Sequence, residues 1–213
     1  MRKLIFVCFA AGAACVPGNS PIRVTGAFPV DDMCQPQDNA QLVRGSLDVS
    51  GVGTYFIGFG LESEFDPGPS LQNASGTTLT TNGQNNWIAD EMILSYSATP
   101  TISGFETERI GIYAVVKPGQ PGTLKVNILG PKAAQRLRDN ITDPLADPKT
   151  SLTVRIEFKG HLESTTTALG GVSSNIVTFP INVITTGAMC PNGIAPTAPC
   201  GGGGQDGFPI VCL

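Results

Sequence analysis

The sequence predicts an all-β domain, an immunoglobulin-like antiparallel β-sandwich of about seven strands with disulfide-stapled termini. Three observations lead there. Between Gln41 and Ile184, short runs alternate apolar and polar residues, and turn-forming residues separate most of them. Gly 26 and Pro 17 make about a fifth of the 213 residues backbone punctuation. Cysteines sit before the first of these runs and after the last, where they can tie the ends of an exported domain together.

The chain opens with Met1-Arg2-Lys3, then an apolar stretch from Leu4 to Phe9, then Ala10-Ala11-Gly12-Ala13-Ala14. A positive start, a short apolar core and small residues are the order of a secretory signal peptide, assigned to 1–14. The apolar stretch is far shorter than the ~20 residues a membrane-spanning helix needs. Cys15 follows the small residues directly. This arrangement resembles a bacterial lipoprotein signal, which implies lipidation of Cys15. Gly12 stands where that pattern has Leu, Val or Ile, so ordinary cleavage and plain secretion remain the alternative. Buried methylenes contribute about 0.8 kcal/mol each, so several acyl chains would hold a domain on a bilayer. Val16 stands where an inner-membrane retention signal places Asp, which by analogy points to the outer membrane. Losing 1–14 removes Arg2 and Lys3 and takes the formal charge from −4 to −6. Residues 15–40 are expected to be tether and N-terminal segment, with Pro17, Gly18, Asn19, Ser20 and Pro21 making Val16 to Pro29 polar and turn-rich.

Residues 41–184 form the expected sandwich. Leu42 to Val49 is the first run. Tyr55, Ile57, Phe59 and Leu61 alternate in the second. Trp87 to Tyr96 puts Ile88, Met92, Leu94 and Tyr96 on one side, with Asp90 breaking the pattern. Ile110 to Val116 and Leu124 to Ile128 follow. Leu152, Val154, Ile156 and Phe158 interleave with Thr153, Arg155, Glu157 and Lys159, a strand with one wet face. Val177, Phe179, Ile181 and Val183 close the series, and Pro180 within it points to an edge or to a side turned from the ladder. Leu71 to Asn85 reads as a polar loop or hairpin. The one helical candidate is Lys132 to Arg138, ended by Asp143-Pro144.

Residues 185–213 form a cysteine-rich tail expected to pack on the domain. With Cys8 removed and Cys15 lipidated, Cys34, Cys190, Cys200 and Cys212 remain. An even number in an oxidising compartment implies two disulfides, with three possible connectivities. If all four pair, Cys34 must reach the tail, closing a loop worth about 4–5 kcal/mol in the chain-entropy account.

Charged residues are only 14%, against roughly 25% in an average domain. The acidic balance argues against a nucleic-acid partner. One His and tail cysteines spaced ten and twelve apart do not make a zinc site, and no metal or cofactor is expected. His161 reads as a solvated strand end, since no G-x-S-x-G elbow accompanies it. Glu62, Glu64 and Asp66 share one strand face that runs into Pro67. Asp139, Asp143 and Asp147 lack the Gly and ligand spacing of an EF-hand. Asp31-Asp32 is the remaining acidic pair. Gly201 to Gly204 lacks the Lys-Ser/Thr of a phosphate loop. Trp87 and Tyr96 are the candidate ligand-binding aromatics, with core packing as their alternative role.

Three stretches carry a broader resemblance. They are Arg44-Gly45-Ser46-Leu47-Asp48-Val49 with the strand after it, Phe179-Pro180-Ile181-Asn182-Val183, and the tail Pro199-Cys200, Gly204-Gln205-Asp206, Val211-Cys212. Together they resemble a group of predicted envelope lipoproteins of myxobacteria and related deltaproteobacteria. That group often has a further cysteine just after the final strand, where this chain reads Ile184-Thr185-Thr186-Gly187. The resemblance implies location and fold, and no mechanism. The expectation is a non-catalytic outer-membrane lipoprotein acting as a structural or protein-interaction module, held to the membrane by its lipid. The alternative is an extracellular glycan- or ligand-binding module.

Overall fold

All seven alternating runs form strands. The computed structural model describes residues 20–31, 33–51, 53–66, 70–72, 78–80, 85–142, 150–163, 171–187, 196–197, 204–206 and 211–212, with backbone alone at 70–72, 78–80, 196–197 and 211–212. In chain order the strands are β1 (Ile22–Phe28), β2 (Gly45–Asp48), β3 (Phe56–Ser63), β4 (Ser70–Gln72), β5 (Thr78–Thr80), β6 (Trp87–Thr99), β7 (Glu108–Val116), β8 (Gly122–Asn127), β9 (Thr150–Leu162), β10 (Val172–Ser173), β11 (Val177–Ile184), β12 (Pro196–Thr197) and β13 (Val211–Cys212). Helix α1 (Pro131–Asn140) lies between β8 and β9.

Two sheets carry the architecture. The smaller has the order β1-β3-β8 and the larger β2-β11-β9-β6-β7, with β10 added to β9. Period-2 alternation built them. Leu152, Val154, Ile156 and Phe158 are all fully buried, and the residues between them turn outward. Phe59 of β3 and Phe158 of β9 meet edge to face, 5.7 Å between ring centroids. Tyr55, just before β3, meets Phe179 of β11 at 5.8 Å. The sheets therefore face each other across one core, a sandwich-like all-β fold.

The pairing is mixed, which corrects the antiparallel expectation. β2 runs parallel to β11, with Ile181 opposite Gly45 and Ile184 opposite Asp48. A long connection separates these strands in sequence, and nothing in a four-residue strand specifies its partner's direction. Pro180 sits just before this parallel ladder begins, so its missing N–H costs no rung with β2.

The segment expected to be tether contains a strand. β1 pairs antiparallel with β3 from Ile22–Ser63 to Phe28–Gly58, and Ile22 is fully buried. Burying such a side chain contributes about 1.5–3 kcal/mol. Beyond β1, the loop returns over the outer face of β3. A Cβ on Gly58 would lie 2.5 Å from Pro36 Cβ, and one on Gly60 would lie 2.6 Å from Thr25 Oγ1. Gly58 thus makes room for the returning loop at Pro36, and Gly60 for the β1 side chains of Thr25 and Phe28.

The polar stretch before β6 contains the short hairpin β4–β5, with Leu71 opposite Leu79. Helix α1 is longer than the expected 132–138. Pro131 occupies its first turn, Ala133, Ala134 and Leu137 bury one face, and Ile141 N–H closes on Leu137 O at 2.8 Å. Among the described residues, no helix is long and apolar enough to cross a membrane.

Candidate functional site

The residues that drew attention in the sequence fall at separate places. Trp87 is fully buried, and its indole N–H donates to Val172 O at 3.2 Å. Tyr96 is half-buried beside Phe105, ring centroids 5.8 Å apart, and its hydroxyl accepts from Gly130 N–H at 3.0 Å. Burial raises the Tyr96 hydroxyl's pKa above its ordinary value, opposed by the Gly130 N–H and helped by the Glu108 charge. A ring in these positions packs the core and offers no flat face to a ligand.

His161 lies on the outer face of the large sheet, where its Nδ1 is 2.6 Å from Asp90 Oδ2. One position in the sequence, Asp90, marks the cause. The β6–β9 register shifts between Ala89 and Glu91, whose partners Gly160 and Lys159 are adjacent, so Asp90 is the extra residue of a bulge against β9. The bulge turns that carboxylate toward His161, and both side chains stay open to water at 51% and 40% exposure. On β7, a register shift at the same place sets Ile112 and Tyr113 opposite Asp90. Tyr113 is 75% exposed. A Cβ on Gly111, its neighbour on that face, would meet nothing within 4 Å. Sequence reasoning passed over Tyr113 because it sits in an ordinary alternating run.

The opposite end of the molecule holds a denser polar network. Glu108, at the start of β7, accepts from Ala133 N–H at 3.0 Å and Lys132 N–H at 3.4 Å. It caps α1 from another element and occupies the helix terminus that would otherwise attract an anion. A Cβ on Gly130 would overlap that carboxylate, so any larger residue there displaces the cap. Beside it, a groove of about 400 Å³ is lined by Gly104, Glu106, Lys132, Gln135, Arg136 and Asp139, with Pro131. Glu106 and Lys132 pair across it at 2.6 Å. Lys132's hydrogen bond and charge lower the Glu106 pKa, and Glu106 raises that of Lys132 by the same contact.

The tail motif Gly204-Gln205-Asp206 docks at this same end. Gln205 is 2% exposed and acts as a rung of sheet. Its side-chain Oε1 accepts from Phe56 N–H at 2.7 Å and its Nε2 donates to Phe56 O at 2.5 Å. Its backbone bridges Leu47 of β2. One residue therefore joins the edge of one sheet to the other. Asp206 adds bonds from Ser46 N–H at 2.7 Å and from the Tyr55 hydroxyl at 2.6 Å. Burial, reinforced by the Asp206 carboxylate, drives the Tyr55 pKa far above its ordinary value. Asp48 lies alongside, accepting from Ser50 N–H at 2.9 Å and from the backbone and hydroxyl of Thr186. Burial pushes its carboxyl up, but these donors outweigh it and hold the pKa below the ordinary value.

The remaining candidates take structural positions. Glu64 pairs with Arg23 at 3.0 Å, and Glu62 and Asp66 are exposed. Asp31 Oδ1 accepts from Met33 and Gln35 N–H, closing a turn. Asp139 accepts from Gln135 on α1. Asp32, Asp143, Asp147 and Gly201 to Gly203 lie outside the described residues. Among the described residues, no three His, Cys, Asp or Glu converge as a metal site.

Cys34 has a left-handed backbone at φ 67° and is disulfide-bonded. The sulfur that completes the bond lies outside the described residues. So do Cys15, Cys190 and Cys200 and the side chain of Cys212.

With this geometry in hand, comparison with known proteins adds no relative. No family model matches the chain, no curated protein matches it, and no solved structure matches its fold.

Proposed function

We propose that this chain is a bacterial outer-membrane lipoprotein, anchored through Cys15, whose domain works non-catalytically as a structural or protein-interaction module. Its domain is then an immunoglobulin-like sandwich with Cys34, Cys190, Cys200 and Cys212 stapling the ends. One observation carries the reading. The Gly204–Asp206 clasp commits the tail's most polar residues to joining β2 to β3, as an exported domain built for durability would. Glu108 and Asp48 likewise spend their carboxylates on backbone amides. The N-terminal features read above supply the anchor. Metabolic labelling with palmitate tests it. Label is expected in the wild type and lost in Cys15→Ala, and absence from both defeats the anchor.

A second reading has one observation in its favour. The exposed Tyr113 ring stands beside open space at Gly111 and opposite the Asp90 bulge. An aromatic face next to a carboxylate suits a sugar ring, so the ligand-binding alternative belongs there and not at Trp87 or Tyr96. A glycan array probed with wild type and Tyr113→Ala decides it. No hit retires the ligand-binding module.

A further inference from the structure

We infer that the groove beside α1 binds a carboxylate carried by an extended peptide, with Arg136 as the fork that receives it. The inference names the partner chemistry of the interaction module proposed above and rests on that reading. Its first support is the placement of one cation. Lys132, Gln135, Arg136 and Asp139 recur at i, i+3, i+4 and i+7, so they form one stripe of α1 along the groove. Gly104 also lines the groove and has a left-handed backbone, φ 82°. A Cβ built there would lie 2.9, 3.1 and 3.3 Å from Nη2, Cζ and Nε of Arg136. Such near-equal distances place the guanidinium face-on against Gly104. Its N–H donors lie in its plane, so this packing covers a face and leaves the donor edges open. Among the described residues, no hydrogen bond or ion pair occupies those donors.

The second support is what surrounds that cation. The groove's volume of about 400 Å³ falls within the ~300–1,000 Å³ of ligand pockets. Lys132 already bonds Glu106 at 2.6 Å, and Gln135 donates to Asp139 at 2.7 Å. Arg136 is the lining cation whose donors all remain free. Glu106 and Asp139 each keep a second oxygen that accepts no hydrogen bond among the described residues. A fork for an anion therefore lies among acceptors for N–H groups. That is the complement of a peptide, whose carboxylate is flanked by backbone amides. A guanidinium and a carboxylate match in plane and spacing and bond through two parallel contacts. A phosphate dianion would bring twice the charge against Glu106 and Asp139 and offer them no donor. The carboxylate has two sources, a chain end or an acidic side chain, and the probes below separate them.

The experiment uses the full mature chain in a neutral detergent and follows the Nε–H resonances of Arg136 and Arg138 by nuclear magnetic resonance. Arg138 is the internal control, because it bonds Gln135 at 3.3 Å and lies against Gly53. The probes are acetylated tetra-alanine with a free terminal carboxylate, the same peptide amidated, an amidated peptide with one central glutamate, and inorganic phosphate. The Arg136 resonance is expected to move saturably with a carboxylate peptide and to stay still with amidated tetra-alanine. Response to the free terminus alone assigns a chain end, and response to the glutamate alone assigns a side chain. Arg136→Lys keeps the charge without the fork, and Gly104→Ala keeps every charge but displaces the guanidinium. Each is expected to weaken binding several-fold, read at the Gln135 amide. If Gly104→Ala does not fold, Arg136→Lys carries the test. The site is overturned by no response to any probe, by equal movement of Arg136 and Arg138, by response to amidated tetra-alanine, by tighter binding of phosphate, or by unchanged affinity in Arg136→Lys. Palmitate labelling reports the anchor separately. Label without peptide binding removes the groove alone, and peptide binding without label removes the anchor alone.

Discussion

Two glycines on the large sheet show how differently one residue type is used. A Cβ on Gly160 would overlap the carbonyl oxygen of Ile88 and lie 2.8 Å from the Trp87 ring. Both belong to the central pair β6–β9, which cannot part without breaking the sheet. Gly160→Ala is expected to cost more than about 3 kcal/mol, the upper range for overpacking, read by denaturant unfolding. Gly111→Ala meets open space and is expected to be neutral or to stabilise by about 0.4–1 kcal/mol through the unfolded chain. Equal losses from both would contradict the packing at Gly160. Asp48 makes a second residue-scale argument. Its folded pKa is depressed, so its contribution is present above the unfolded carboxylate value and is lost as pH falls through the folded one. Wild-type stability is therefore expected to drop below about pH 4, and Asp48→Asn to flatten part of that drop while being less stable at pH 7. An acid profile unchanged by the substitution would remove Asp48 from the account.

At the scale of elements, the most unusual connection is a side chain that replaces a strand. Gln205 supplies a donor and an acceptor in the spacing of a peptide group, and Phe56 receives both. Gln205→Ala takes both partners from the part-buried amide and carbonyl of Phe56, which costs about 1–3 kcal/mol. Amide exchange at Phe56 is the sharper measurement, because it is expected to accelerate while that of Phe158, paired elsewhere, follows only the global change. Unaltered exchange at Phe56 would show that the clasp does not hold β3. Nothing in hydrophobic patterning reveals such a rung, since its function lies in polar geometry. The long strands were legible for the opposite reason. In β9, alternation of Leu152, Val154, Ile156 and Phe158 with charged and hydroxyl residues is itself the record of burial. Asp90 was legible as an exception, but its pairing with His161 was not, because the contact spans 71 residues and depends on a bulge. Glu108 gave no signal, since its helix lies across a strand and a turn from it.

At the scale of the whole molecule, the N-terminal segment tests how far sequence pattern can be trusted. Ile22 and Val24 begin a clean alternation, but the β1–β3 register shifts between Val24 and Gly26, so the period breaks within a strand of seven residues. Flanked by Pro21 and Pro29, it therefore reads as tether although it closes the small sheet. The consequence is measurable by truncation of the mature chain. A chain starting at Ser20 keeps β1, the Arg23–Glu64 pair and the bond to Ser173, and is expected to unfold at the same temperature as the longer chain. A chain starting at Val30 loses Ile22 from the core. It also loses the strand beside β3, including Thr25 and Phe28, which pack on Gly60. β3 then presents an unpaired edge beside the apolar residues Ile57, Phe59 and Leu61. That chain is expected to lose several kcal/mol and to associate, read as a lower and concentration-dependent melting transition with larger species in size-exclusion chromatography. Equal melting of the two truncated chains would return residues 22–28 to the tether.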